Sequence, residues 1–177
     1  MLPNISQSTR PASRSRAPKP AMMIRRAALA DAPALTRLMR ESSAYDGAYR
    51  AILDGYVVSE RQIRASQVYL AEQDSAVLGF YRLVPTEAEG ELDLMFVADA
   101  ARGLGVGTAL FRHMQEVARA LRCPKVLIVS HPPAESFYLR MGAIRIATRL
   151  PDAKVTWPRP VLALHLDGPD CATRPTE

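Results

Sequence analysis

The residues with the clearest chemical content are Arg102-Gly103-Leu104-Gly105-Val106-Gly107-Thr108. Three glycines alternate with apolar residues, behind an arginine and ahead of a hydroxyl. Where such a run opens a helix, the first backbone N–H groups lack intrahelical partners and the helix dipole favours an anion. The glycines remove Cβ atoms that would block phosphate oxygens. Arg102 adds positive charge, and Thr108 adds a hydroxyl. The indicated chemistry is the holding of a phosphate or pyrophosphate; a plain tight turn from strand to helix is the alternative. A Walker loop is excluded, because no Gly-Lys-Ser/Thr follows. A dinucleotide turn is also a poor fit: the third glycine comes one residue early, and residues 119–123 offer no acid.

Two carboxylates and one aromatic stand nearby in the pattern. Glu91 and Asp93 alternate with Leu92 and Leu94, so they share one face of a strand leading into the glycine loop. A carboxylate there is a candidate general base, or else a solvated residue at a strand start. Tyr138 stands beside Phe137 and Leu139, and by itself reads as a core aromatic.

These groups need a frame. The pattern predicts a strand at 23–25, then a helix capped by Asp31 and opened by Ala32-Pro33. Ser59-Glu60-Arg61-Gln62 fits a capping box and predicts a second, short helix. A hairpin follows, with strands at 68–72 and 77–84 joined through Gln73-Asp74-Ser75. Residues 91–97 form the strongest strand, with Leu92, Leu94 and Phe96 on one face and Glu91, Asp93, Met95 and Val97 on the other. A long helix over 105–121 keeps Leu110, Met114, Val117 and Leu121 at a period near 3.6. The β-branched strand 126–129, a short helix over 134–141 ended by Gly142, and closing strands at 144–147 and 161–166 complete the order. The order β-α-α-β-β-β-α-β-α-β-β implies an α/β (α+β) fold: one domain over 23–166, with a central mixed twisted sheet of six to seven strands and helices on both faces. Residues 1–22 read as a disordered Pro/Ser/Arg tail, and 167–177 as a flexible C-terminal tail.

Bulk properties narrow the classes. The 177-residue chain carries a net charge of +5, but Arg10, Arg14, Arg16 and Lys19 supply four of those charges in a stretch without acids. The folded part is nearly neutral, so a nucleic-acid surface is not indicated. No apolar run reaches the ~20 residues of a membrane span. Cys123 and Cys171 form no CxxC pair and do not cluster with the histidines, so no metal is expected. They read as unpaired thiols of a cytoplasmic protein.

The two motif regions together resemble a known family. Arg102-x-x-Gly105-x-Gly107 matches the R/Q-x-x-G-x-G/A acetyl-CoA signature of the GNAT superfamily. ELDLMFVADAARGLGVGTALF resembles that family's fourth strand, pyrophosphate loop and third helix. VLIVSHPPAESFYLRMGA resembles its fifth strand and fourth helix, whose pattern is N-x-x-A-x-x-x-Y-x-x-x-G-F. The opening MIRRAALADAPAL is also similar. Two departures stand out: His131 replaces the usual asparagine and Ala143 the usual phenylalanine.

The resemblance implies an N-acetyltransferase moving an acetyl group from acetyl-CoA to an amine by direct attack in a ternary complex. A non-catalytic acyl-CoA-binding domain of the same fold is the alternative. By resemblance, residues 102–108 (Arg102, Gly103, Leu104, Gly105, Val106, Gly107 and Thr108) hold the pyrophosphate. Met95 and Phe96 line the pantetheine arm, and His131 takes the asparagine's hydrogen-bonding place. Val97 offers its N–H to the oxyanion, and Tyr138 protonates the leaving thiolate. Glu91, then Asp93, is expected as the base, with Glu72 a weaker option. The acceptor, a small-molecule or peptide amine, would meet the segment holding Tyr45, Asp46, Tyr49, Arg50 and Tyr56. Family members often form homodimers, and Trp157-Pro158-Arg159-Pro160 is the expected exposed contact.

Overall fold

In the computed structural model, residues 21–166 are described. Residues 1–20 of the expected N-terminal tail, the C-terminal tail and Cys171 fall outside them; Met22, placed in the tail, packs against the core. The chain builds β1 (Met23–Arg26), α1 (Ala32–Glu41), α2 (Glu60–Ala65), β2 (Gln67–Gln73), β3 (Ala76–Pro85), β4 (Gly90–Val97), α3 (Val106–Ala120), β5 (Lys125–Val129), α4 (Glu135–Arg140), β6 (Ile144–Arg149) and β7 (Arg159–His165). The order is as expected, with short 3-10 segments added, notably Ser43–Tyr45 and Gly47–Leu53 in the irregular stretch after α1.

One seven-stranded sheet runs β1-β2-β3-β4-β5-β7-β6. All neighbours are antiparallel except β4 and β5, which are parallel and joined through α3. On one face α3 and α4 cover Tyr81, Leu83, Leu92, Val126, Ile128 and Leu162. On the other, α1 and α2 cover Val68, Leu70, Phe80 and Phe96. Below, these are the helix-3 face and the helix-1 face.

Local signals account for most boundaries. Asp74 and Ser75 both take positive φ, 52° and 62°, the geometry of a two-residue hairpin turn. The capping box is present: the Ser59 hydroxyl accepts from the Gln62 N–H, and the Gln62 side chain accepts from the Ser59 N–H. On α3, Phe111 and Ala118 are buried alongside Leu110 and Met114, whereas Leu121 lies past the helix end and is exposed.

Three expectations are corrected. Asp31 does not cap α1. Its carboxylate turns back to accept from Arg25 at 2.7 and 3.1 Å and from the Ala28 N–H at 2.7 Å. Trp157 is not an exposed contact: it is buried, edge-on to Tyr49 at 5.0 Å between centroids. Third, β4 does not alternate evenly. Leu83 pairs with Leu92 and Arg82 with Leu94, leaving Asp93 as an extra residue, a β-bulge. Leu92 therefore packs on the helix-3 face, while Leu94 and Phe96 pack on the helix-1 face.

Arg25 chiefly, with the Ala28 N–H, holds the Asp31 carboxyl below its usual range. Such a depressed acid stabilises the fold above the unfolded value of ~3.9, and its contribution disappears as pH falls through the lower folded value. Asp31→Asn is expected to cost about 1 kcal/mol at neutral pH. The difference from the parent should shrink below pH ~4, as urea unfolding across that range would register.

Candidate active site

The site begins where two strands part. β4 and β5 pair only through Gly90, Glu91 and Leu92 with Val126, Leu127 and Ile128. Beyond Leu92 they splay. Successive N–H groups of a strand point to opposite edges. The Ala98 N–H donates to the Leu78 carbonyl on the β3 side at 2.9 Å. The N–H groups of Val97 and Met95 therefore point into the splay. A cleft of about 820 Å³ opens there, lined from both faces of the sheet. It passes from the start of α3 through the splay to Ile52, Tyr56 and Glu91.

At one mouth lies the glycine loop. Gly103 and Gly105 take φ of 76° and 80°, a conformation that L side chains adopt only with strain. A Cβ on either would meet no atom of the described residues within 4 Å, so the space it would fill is open among them. Gly105 is the N-cap of α3, and no side chain among the described residues caps the helix. The leading amides are thus free for an anion. Gly107 is helical. A Cβ there would stand in ordinary contact with Val97 and Phe137, at 3.6 and 3.7 Å. Leu104 points to solvent and does not line the cleft. Arg102 pairs with Asp99 at 2.7 Å and donates to the Ser43 hydroxyl at 3.0 Å, joining the loop to the segment after α1.

Tyr138 lines the middle of the cleft from α4. Its hydroxyl makes no hydrogen bond among the described residues. Burial pushes its phenol well above the ordinary tyrosine value, so it stays protonated at neutral pH. His131, on the turn after β5, stacks on Tyr45 with centroids 4.3 Å apart, and its Nε2–H donates to the Ala44 carbonyl at 3.0 Å. That donor is therefore engaged by the protein. Burial lowers the His131 pKa, favouring the neutral ring. Tyr45 lines the cleft and also stands 5.4 Å from Phe96; burial pushes its phenol up to about 12.

The carboxylates separate into two groups. Glu91 lines the cleft, exposed, with no ion pair or hydrogen bond among the described residues. Asp93 also lines it, but is bound by Arg82. Asp46 and Glu72 are not at the cleft. Asp46 is exposed and 3.7 Å from Arg50, an ordinary i,i+4 surface pair. Glu72, near the sheet edge, is held by Arg25 at 3.0 Å. Met95, Phe96 and Val97 all contribute to the lining.

Sequence reasoning missed Arg82, Asp99, Arg149 and Arg159. The last two line the cleft from β6 and β7. Both were visible as charged residues in or beside strands, but the register that brings them to the cleft is non-local.

Residues 64–142 match the family model described as the acetyltransferase (GNAT) domain. Among solved structures the chain resembles the ribosomal-protein-S18-alanine N-acetyltransferase of Escherichia coli, at 14% identity over 87% of this chain and 99% of that one, with a TM-score of 0.67. It also resembles the PaiA N-acetyltransferase of Thermoplasma acidophilum in complex with coenzyme A, at 17% identity over 82% and 99%, with a TM-score of 0.68. An N-acetyltransferase of Staphylococcus aureus Mu50 matches at 17% identity over 84% and 100%, with a TM-score of 0.67. At such identities the likeness is one of fold. No curated protein sequence matches the chain.

Proposed function

We propose, from the match of residues 64–142 to the acetyltransferase (GNAT) domain model, that the chain is an acetyl-CoA-dependent N-acetyltransferase that acylates a primary amine by direct attack in a ternary complex. The observation that carries this reading is the through-sheet cleft, with an anion cradle at one mouth and the unpaired carboxylate of Glu91 at the other.

The cradle fits a pyrophosphate. Gly103 and Gly105 leave open the volume a Cβ would fill, and the first amides of α3 have no side-chain cap among the described residues. Residues 102–108 hold the phosphates, and Met95 and Val97 line the arm that follows. Bound acetyl-CoA supplies the activated acyl thioester. The Val97 N–H, aimed into the splay, stabilises negative charge developing on the acyl oxygen. Glu91 accepts the proton of the acceptor ammonium, directly or through water, and Tyr138 gives a proton to the departing sulfur. No covalent enzyme intermediate is needed. The proposed setting is cytoplasmic; among the described residues no helix is long and apolar enough to cross a membrane.

Calorimetric titration with acetyl-CoA, followed by an amine screen reading coenzyme A release, tests the proposal. Binding and turnover are expected. A chain that binds acetyl-CoA yet acylates no amine is instead a non-catalytic acyl-CoA-binding domain, and one that binds none is not an acetyl-CoA enzyme. Glu91→Gln is expected to lower kcat/KM about 10²-fold while leaving acetyl-CoA affinity unchanged, since its side chain lies on the acceptor side.

A further inference from the structure

The cleft holds positive charge that the reaction scheme does not use. We propose that Arg149 and Arg159 bind a carboxylate of the acceptor, so that the molecule acylated here carries a free carboxylate as well as its amine. The proposal rests on the acyltransferase reading.

Placement comes first. Arg149 and Arg159 are register partners across β6 and β7, and both line the cleft. Ile128 and Leu162 pack on the helix-3 face, so their neighbours Val129 and Val161 point the other way. Arg159 is two residues from Val161 and Arg149 is its partner, so both arginines present to the helix-1 face. Glu91 shares that face, because its partner Val84 follows Leu83 of the helix-3 core. The acid and the arginines thus stand on the acceptor side, opposite the glycine loop. Val129, the last residue of β5, pairs with Val161, and Arg159 lies about 7 Å further along β7. A guanidinium there reaches the splay within one side-chain length.

Electrostatics comes second. Arg149 makes no ion pair or hydrogen bond among the described residues. Among the described residues Arg159 is paired only with Asp152, at 2.8 Å, while Asp152 itself is open to solvent. The side chain of Arg159 is 11% exposed, yet its Nε–H has no acceptor among the described residues. Buried donors without acceptors are costly. An anion brought to this end supplies an acceptor, and a carboxylate matches the guanidinium fork. At the other end, Glu91 suits an ammonium. The charge order along the cleft, acid then arginines, complements an amino carboxylate.

The test uses acceptor pairs that differ only in this charge: amino acids against their amides, short peptides against their C-terminal amides, and lysine against cadaverine. The parent is expected to favour the carboxylate member about 10- to 100-fold in kcat/KM. Arg149→Gln should erase most of that preference through KM, leave kcat and the acetyl-CoA affinity in place, and spare the amides. Arg149→Glu should reverse the preference toward cadaverine. Equal use of both members by the parent, or an equal loss on both in Arg149→Gln, overturns the proposal. If no amine of either kind is acylated, it is the acyltransferase reading that has failed. Calorimetry of the same compounds then decides for the arginines: carboxylate binding that Arg149→Gln removes supports them, and binding indifferent to the variant, or none, overturns them.

Discussion

Gly105→Glu is expected to weaken acetyl-CoA binding by more than about 100-fold, an effect of electrostatic repulsion added to blocked space. The side chain would start from the N-cap of α3, where amide donors converge and no atom of the described residues lies within 4 Å of a Cβ. Its carboxylate would occupy the volume assigned to a phosphate and satisfy the same amides internally. The positive φ of 80° adds a stability cost of about 1 kcal/mol. Two readings separate these effects. Gly105→Ala, with equal strain but no charge, should lose stability comparably while losing much less affinity. Thermal unfolding should show Gly105→Glu still folded at the temperature of the titration. Unchanged affinity in Gly105→Glu would remove the loop from the cofactor site.

Tyr138→Phe is expected to lower kcat by about 10² to 10⁴, the range of a lost general acid. The variant is unusually clean. The hydroxyl has no partner among the described residues, and the ring packs against Phe111 and Phe137. Removing a buried hydroxyl that bonds nothing leaves stability unchanged or slightly improved. Acetyl-CoA affinity should also hold. Because burial raises the phenol pKa, the proton to be donated is present below that raised value. The parent's rate should therefore show no fall from tyrosine ionisation up to pH ~10. Wild-type kcat in Tyr138→Phe would reduce Tyr138 to a core aromatic, the reading its neighbours suggest.

The parts of this site that could be read from sequence are those fixed by contiguous residues. The glycine loop, the helix behind it, the capping box at Ser59 and the turn at Asp74-Ser75 each declare themselves within about ten residues, because backbone conformation and free amides are local properties. The parts that could not be read depend on register. Asp46 and Glu72 have the right chemistry but stand elsewhere, one toward solvent and one paired with Arg25. Trp157 reads as a surface residue among prolines and is buried against Tyr49. The insertion of β7 between β5 and β6 carries Arg159 to the cleft, and nothing near Arg159 in sequence announces that strand order. The stack of Tyr45 on His131 joins residues 86 positions apart in the chain.

The extra residue in β4 has a further consequence. A strand is a two-beat repeat, so in an unbroken one Glu91, Met95 and Val97 would all fall on the same beat and crowd one side of the sheet. Asp93 inserts half a period. Before it, odd-numbered residues face the helix-1 side; after it, they face the helix-3 side. A single added position thus changes the phase of the strand and lets eight consecutive residues present both groups of the proposed reaction, Glu91 on one side of the sheet and Met95 and Val97 on the other. Length, rather than the chemistry of residue 93, carries that role: Asp93→Ala preserves the phase, and deletion of residue 93 does not.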